Sequence, residues 1–367
     1  MKLKVLQEDL ATAISTALRF TSSKVQLPVL ANILLKAEKG KFFLKATNLE
    51  ASVAIVVGAK IDQEGEITVP AKSFFETISN LPKGQISIEA EKEKVGVSAP
   101  NFKSTLLGMN SADFPKIIQE ISGDNIEIPT DSLSTAFGKT LFSVSLDETR
   151  PVLTGVLLIL DKDITLVATD GFRLSQKKLS GANVGVKGRM ILPKNTLSEI
   201  SKISSEESIL KFSHKADDKQ GIFACGGAVL TSRVIEGEFP DFEKIIPKSF
   251  NLTVSLDKQD FMRAVKLAGV FARDSANLVK LKIGSKSLEV YSESAKSGSQ
   301  ETSVEAKVEG VSEEEFVIAF NYRFLEEAIS AVEDDFLTLK FTDPNSPAGI
   351  FDNKDPDFLH IIMPIRL

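Results

Sequence analysis

Side chains able to do nucleophilic, acid–base or metal chemistry are few and scattered in this sequence. Histidine occurs only at His214 and His360, and the one cysteine, Cys225, lies in a glycine-flanked segment typical of a strand. This distribution suggests neither a zinc cluster nor a Cys–His pair. The Thr-Asp-Gly sequence at 169–171 is typical of a turn, and no glycine-rich phosphate loop is present. We therefore expect no catalysis, metal or cofactor, with a carboxylate-only hydrolase as the enzyme alternative left open.

Lysine and arginine side chains offer a second chemistry, which is contact with phosphate. The net charge of −6 argues against an ordinary DNA-binding protein. Bases nevertheless recur toward the later turns of the candidate helices, and a ring would concentrate them around a channel where the local field outweighs the total charge. The alternative for each base is a cation that complements a helix C-terminus or solvates a face. The candidates are Arg19, Lys24, Lys139, Lys194, Lys202, Arg263, Lys266, Arg273 and Arg323.

Length and composition limit the kind of protein. A chain of 367 residues is longer than one hydrophobic core usually supports, which suggests two or three domains. Its 43% hydrophobic and 26% charged residues are typical of a globular protein. No window approaches the roughly 18 apolar residues of a membrane span, and the N-terminus lacks a signal-peptide pattern. With a single cysteine nothing indicates an oxidising compartment. We expect a cytoplasmic protein with no membrane partner.

Three landmarks recur along the chain and predict an internal repeat. KLKVLQEDLATAISTAL, IEIPTDSLSTAFGKTL and LTVSLDKQDFMRAVKLA each combine an extended run with an amphipathic helix, at offsets of 123 and 128 residues. A second strand–helix landmark aligns Pro70, Pro193 and Phe320 at offsets of 123 and 127. A third closes each unit at Phe114, Phe239 and Phe358. Chance similarity of amphipathic stretches would not make these offsets agree.

The repeat predicts an α+β fold of three tandem domains, each with two helices and antiparallel sheets. We place the domains at 1–124, 125–248 and 249–367. Each would be about 35 Å across, so three in a closed ring leave almost no hole, whereas six leave one of roughly 30 to 35 Å. A head-to-tail homodimer supplies six and would hold a DNA duplex, which is a hypothesis because sequence does not fix curvature. The alternative is a tandem-repeat binding or structural protein that never closes into a ring.

Several motifs carry a resemblance to a known family over essentially the full length. They are LPVLANILL, ETRPVLTGVLL followed by LVATDGFRLS, EGEFPDFEKIIP, FNYRFLEEAI and the terminal MPIRL. In order and spacing the sequence resembles the bacterial DNA polymerase III β sliding clamps. The resemblance implies a homodimeric ring with helices around double-stranded DNA, which is held without sequence preference. It also implies partners that supply polymerisation and ATP-driven loading, namely the DNA polymerase III alpha subunit, the clamp loader and other proteins with clamp-binding motifs.

The resemblance further implies a peptide-binding cleft between the second and third domains. It implies DNA contact near Lys24 and Arg150, and a dimer interface near Leu106 and Leu267. Plain core packing is the alternative for Leu153, Ile245 and Ile362. The sequence departs from the family's pattern at Phe172, Lys244, Asn345 and Pro347, which puts the peptide motif in doubt. The cleft residues so implied are Leu153, Thr169, Gly171, Phe172, Arg173, Leu174, Pro240, Lys244, Ile245, Asn321, Phe324, Ile362, Met363, Pro364, Ile365, Arg366 and Leu367.

Overall fold

The computed structural model describes residues 1–22, 27–123, 125–181, 184–205, 207–215, 219–310 and 316–366. Two of the site residues named above, Lys24 and Leu367, lie outside these ranges. The α+β class with antiparallel sheets is confirmed, because every strand pair in the described part is antiparallel and each third of the chain carries two α-helices. No helix within these ranges combines the length and the apolar character that crossing a membrane requires.

The first third of the chain alternates strands with two helices, α1 (Gln7–Leu18) and α2 (Ala71–Ser79). Helix α1 forms where the sequence predicts it, because Leu10, Ala13, Ile14 and Ala17 recur at helical spacing and are buried along one face. The strands are β1 (Lys2–Leu6), β2 (Asn32–Glu38), β3 (Lys41–Thr47), β4 (Ala51–Val57), β5 (Ala59–Gln63), β6 (Gly65–Pro70), β7 (Gln85–Glu91), β8 (Lys94–Ala99) and β9 (Phe102–Leu107).

The second third repeats this order with α3 (Thr130–Thr140) and α4 (Lys194–Ser204). Its first strand begins at Ile126, just after the boundary proposed near residue 124. The strands are β10 (Ile126–Pro129), β11 (Gly155–Leu160), β12 (Ile164–Thr169), β13 (Arg173–Leu179), β14 (Gly188–Pro193), β15 (Ile209–Lys215), β16 (Gln220–Cys225) and β17 (Ala228–Arg233).

The last third contains α5 (Lys258–Ala272) and α6 (Tyr322–Ala331). Both helices begin at a polar cap: the Asp257 side chain accepts hydrogen bonds from two backbone N–H groups of α5, and the Asn321 side chain accepts one from Arg323. The strands are β18 (Leu252–Asp257), β19 (Leu278–Ile283), β20 (Ser287–Ser294), β21 (Gly298–Gly310), β22 (Phe316–Asn321), β23 (Phe336–Phe341), β24 (Ala348–Asp352) and β25 (Asp355–Ile362).

Two strand pairs join the thirds into continuous sheets. The last strand of the second third, β17, pairs with β4, and the last strand of the final third, β25, pairs with β13. The sheet orders are β5-β1-β7-β8-β9, then β10-β15-β16-β17-β4-β3-β2-β6, and then β14-β11-β12-β13-β25-β24-β23-β18-β21-β20-β19-β22.

Contacts between residues group the chain into two compact units. The first comprises residues 1–131 and 195–234, and the second comprises 132–194 and 235–367. The middle third is divided between the two units because its sheet ending in β17 continues into the first third, whereas its sheet containing β13 continues into the last third. The three-domain boundaries near 124 and 249 stay a prediction, since compactness follows the shared sheets and not the repeat.

Candidate binding cleft and basic surfaces

The Thr-Asp-Gly turn between β12 and β13 is built by its own side chains. The Thr169 hydroxyl donates to the carbonyl oxygen of Arg173 (2.6 Å) and accepts from the N–H of Gly171 (3.0 Å). The Asp170 carboxylate accepts from the N–H groups of Phe172 (2.9 Å) and Arg173 (3.1 Å). Gly171 has a φ of +92°, which a side chain would strain. The turn is therefore rigid and leaves the Phe172 side chain 60% exposed.

Arg173 ties this turn to helix α6. Its Nε donates to the Asp170 carboxylate (3.0 Å), one terminal nitrogen donates to Glu327, and the other donates to the carbonyl oxygen of Phe142 (2.6 Å). The guanidinium also lies over the ring of Phe324, 4.4 Å from its centroid. Three hydrogen bonds and one ring contact hold the buried guanidinium in place, so we expect Arg173 to position the turn and not to bind a ligand by its charge. The sequence named Arg173 and Phe324 but missed Phe142 and Glu327.

The C-terminal segment after β25 is hydrogen-bonded on both sides. The N–H of Met363 donates to the carbonyl oxygen of Phe172 (2.8 Å), and the N–H of Ile365 donates to that of Ala319 (2.7 Å). Met363 and Arg366 are nevertheless exposed. Residues 363–366 therefore run from the turn at 169–173 to strand β22 in a fixed path that presents an apolar edge to solvent.

An apolar cluster lies beside this segment. Leu174 and Ile361 are buried within it, and Ile245 packs against it from the EGEFPDFEKIIP segment. Leu153 and Ile362 are buried as well, and Ile362 belongs to the core of the last third. Their burial favours the core-packing alternative for these two residues. Pro240 and Lys244 are exposed, and Lys244 forms an ion pair with Asp241 (2.8 Å).

A polar chain runs under the same strand pair. The Ser143 and Ser175 hydroxyls are 2.7 Å apart, and Ser175 Oγ lies 2.8 Å from His360 Nδ1. Burial lowers the pKa of His360 to about 3, so the ring is neutral at ordinary pH. Its Nε2 is buried and has no hydrogen-bond partner among the described residues. Sequence reasoning used His360 only to argue against a catalytic pair, because nothing local reveals that it pairs with Ser175.

Lys139 is not where the sequence analysis expected a DNA-facing base. Its side chain is only 3% exposed, and its ammonium is bound by Asp355 (2.6 Å), Asp352 (3.1 Å) and Glu333 (3.1 Å). Burial opposes the charged form, but the hydrogen bonds that the ammonium donates to these carboxylates outweigh it and raise the pKa of Lys139. The prediction of DNA contact for Lys139 is therefore wrong, because the ammonium is enclosed and neutralised.

The other basic candidates lie on or near helices of both units. Arg19 and Lys202 both bind Glu199 of α4, and Arg263 forms an ion pair with Asp260 (3.0 Å). Arg150 is exposed and binds Asp147 (3.1 Å), while Lys194 is half-buried. Lys266 is exposed on α5, and Arg273 and Arg323 both donate to the Tyr322 hydroxyl (3.3 and 3.4 Å).

The two interface candidates differ in exposure. Leu106 is half-buried on β9, while its neighbour Leu107 is 71% exposed. Leu267 is 47% exposed on α5, and Val270 is 54% exposed on the same helix. Single exposed apolar side chains are common on protein surfaces, so exposure alone does not mark an interface. Leu107 offers more free apolar surface than the predicted Leu106.

Comparisons with known proteins agree along the whole chain. Models of the N-terminal, central and C-terminal domains of the DNA polymerase III beta subunit match residues 1–118, 127–241 and 243–366. A Staphylococcus aureus protein named beta sliding clamp is 28% identical over 380 residues, covering 100% of this chain and 99% of the relative. The solved sliding clamps of Bacillus subtilis (25% identity, TM-score 0.94) and Caulobacter crescentus (28%, 0.92) each match 100% of this chain over 99% of their own.

The chain therefore belongs to the DNA polymerase III beta subunit family, and it is a DNA sliding clamp with no catalytic role. The expectation of three tandem clamp domains is confirmed by the three matches.

Proposed function

We propose that two copies of this chain close head to tail into a ring around duplex DNA. The observation that carries the proposal is a strand pair made twice within one chain. The last strand of the second third pairs with the fourth strand of the first third, β17 with β4. The last strand of the final third pairs likewise with the fourth strand of the second, β25 with β13.

At each end of the chain, a strand that this pattern would pair has one edge without a partner in the described residues. The last strand of the first third, β9, pairs only with β8 in the described part of the chain. The fourth strand of the final third is the 298–305 half of β21, which pairs on one side only, with β20. Exposed strand edges of this kind seek partners. Pairing β9 of one copy with β21 of another would repeat the internal contact and close a dimer by twofold symmetry.

The proposed DNA contact rests on the exposed bases Arg150, Arg263, Lys266, Arg273 and Arg323, together with Arg19 and Lys202. A basic inner surface reconciles the net charge of −6 with DNA, because the field near the phosphates decides binding. Contacts to phosphate alone carry no sequence information, which suits a protein that moves along DNA.

The cleft formed by the 169–174 turn, the cluster around Leu174 and the 363–366 segment is proposed to bind short peptides with apolar anchors. Apolar walls with an adaptable methionine suit such peptides and allow several proteins to compete. The proposed partners are the DNA polymerase III alpha subunit, the clamp loader and other proteins with clamp-binding motifs. We place these events in the cytoplasm.

Substitution of Leu107 by Glu tests the ring. A charge at the β9 edge should oppose strand pairing, so light scattering should show the native protein near twice 39.9 kDa and L107E near the single mass. The matched control is Leu146→Glu, a leucine 86% exposed outside the strands, which should leave the mass unchanged. After loading, the native protein should stay on circular DNA and leave linear DNA. Equal loss from both DNAs, or a native monomer or filament, would favour an open repeat protein.

A further inference from the structure

The turn between β3 and β4 repeats the hydrogen bonds of the 169–173 turn. The Thr47 hydroxyl donates to the carbonyl oxygen of Ala51 (3.0 Å) and accepts from the N–H of Leu49 (3.0 Å). The Asn48 side-chain oxygen accepts from the N–H groups of Glu50 (3.1 Å) and Ala51 (2.8 Å). Residues 47–51 therefore form the same turn as residues 169–173, with asparagine in the place of Asp170.

The neighbouring strand ends in the same way at both turns. The N–H of Arg233, just past the pairing of β17 with β4, donates to the carbonyl oxygen of Glu50 (2.8 Å). Met363 donates to Phe172 at the same distance in the cleft. The segment Pro115-Lys116-Ile117 of the first unit corresponds to the segment around Ile245 in the second unit. In each segment an isoleucine, Ile117 or Ile245, packs against a buried apolar cluster. The first unit thus contains a second copy of the framework of the cleft.

A cavity of about 370 Å³ opens at this second framework. Its volume lies at the lower end of the range of small-molecule pockets, enough for one or two side chains of a partner. The lining includes Thr231, a residue only 7% exposed, whose hydroxyl oxygen is buried and has no hydrogen-bond partner among the described residues. A buried hydroxyl without a partner costs free energy that a bound polar group would recover.

The side chains at matching positions differ between the two frameworks. In the strand pairing Thr231 faces Ser52 in the first unit, and Ile361 faces Leu174 at the matching position of the second unit. Two buried apolar residues beside the cleft are therefore replaced by hydroxyl residues in the second framework. Arg233 stands in the place of Met363, and Lys116 also lines the cavity. Within the described ranges neither the Arg233 guanidinium nor the Lys116 ammonium has an ion pair, and Glu50 is the single anion of the lining.

We propose that the cavity lined by Thr47, Thr231, Arg233 and Lys116 is a second peptide site, which binds an extended acidic segment of a protein partner. The two unpaired cations would bind a carboxylate side chain, and the Thr231 hydroxyl would donate to a carbonyl or carboxylate oxygen. A partner anchored by an apolar motif in the cleft could add an acidic segment here, and two modest contacts on one chain give avidity. The inference rests in part on the proposed peptide binding by the cleft.

The probe is a fluorescein-labelled octapeptide of alternating Asp and Leu, and its control replaces each Asp by Asn. Anisotropy with the full chain should show saturable binding of the acidic peptide, and the Asn peptide should bind about tenfold more weakly if charge-assisted contacts dominate. R233Q and K116Q should each weaken the acidic peptide by about tenfold for the same reason. The control R189Q removes an exposed arginine of β14 outside the cavity and should change nothing.

Thr231→Val keeps the shape of the side chain and removes only the hydroxyl. It should weaken the acidic peptide severalfold while the midpoint of thermal unfolding rises or stays unchanged, which separates lost binding from lost folding. Deleting residues 363–367 tests the cleft separately and should leave the acidic peptide bound. Loss of binding on that deletion, equal binding of the Asn peptide, or no saturable binding by the native chain would overturn the second site. A cleft that fails to bind apolar motifs would not affect these results.

Discussion

The strand pairs β4–β17 and β13–β25 share a register but carry opposite chemistry. At one matched position Val53 faces Leu230 in the first unit, whereas Ser175 faces His360 in the second. The neighbouring surfaces are reversed: polar residues line the cavity above the apolar pair, and apolar residues line the cleft above the polar pair. The repeated backbone therefore sets where a cleft lies, and the side chains set what the cleft can bind.

The largest expected effect on binding comes from removing the apolar edge of the cleft. Deleting residues 363–367 should reduce binding of a polymerase-derived peptide by at least about a hundredfold, because the held segment forms one side of the cleft. The dimer mass by light scattering should not change. Fluorescence anisotropy with the labelled peptide measures the loss. An unchanged peptide affinity in a folded, dimeric truncation would refute the cleft assignment.

The largest expected effect on stability comes from the Lys139 ammonium, which is buried in the second unit. Lys139→Met should reduce the free energy of unfolding by about 3 to 5 kcal/mol, because Asp352 is left buried without its cation. The matching helix position in the first unit is Thr16, which is half-buried. Thr16→Val should therefore cost less than about 1 kcal/mol. Urea unfolding measures both, and equal losses would show that the two units do not differ in this respect.

A smaller effect, which depends on pH, should come from His360. Its pKa is about 3 in the folded chain and near 6.5 when unfolded. The unfolded state therefore binds more protons between these values. Stability should be constant above pH 6.5 and should fall as pH drops toward 3, by at most about 1.4 kcal/mol per pH unit.

The double variant S175V/H360L copies the Val53–Leu230 pair of the first unit and should remove this slope. The free energies of unfolding of the variant and the native chain, compared from pH 7.5 to 4, provide the measurement. The control is His214→Leu, because burial lowers the pKa of His214 as well but this side chain is only partly buried. A difference between the double variant and the native chain that did not vary with pH would contradict the assignment of the slope to His360.

The sequence predicts the parts of this molecule that depend on short-range patterns. Helix α1 follows from its own apolar spacing, and the turn at 169–173 follows from side chains that bind backbone groups two to four residues away. The enclosure of Lys139 could not be predicted, because Asp352 and Asp355 lie more than 200 residues along the chain. The second turn did leave a signal, since TNLEA at 47–51 matches TDGFR at 169–173 in position and in its polar first two residues.

The sharing of the middle third between two sheets has a practical consequence for protein engineering. Cutting the chain at the repeat boundaries would free the outer edge of β13 and the outer edge of β17 at once, since each loses its neighbour from another third. Exposed edges of this length promote aggregation. A fragment for study should therefore keep the strand pairs β4–β17 and β13–β25 intact, and its ends should not be placed at the boundaries between repeats.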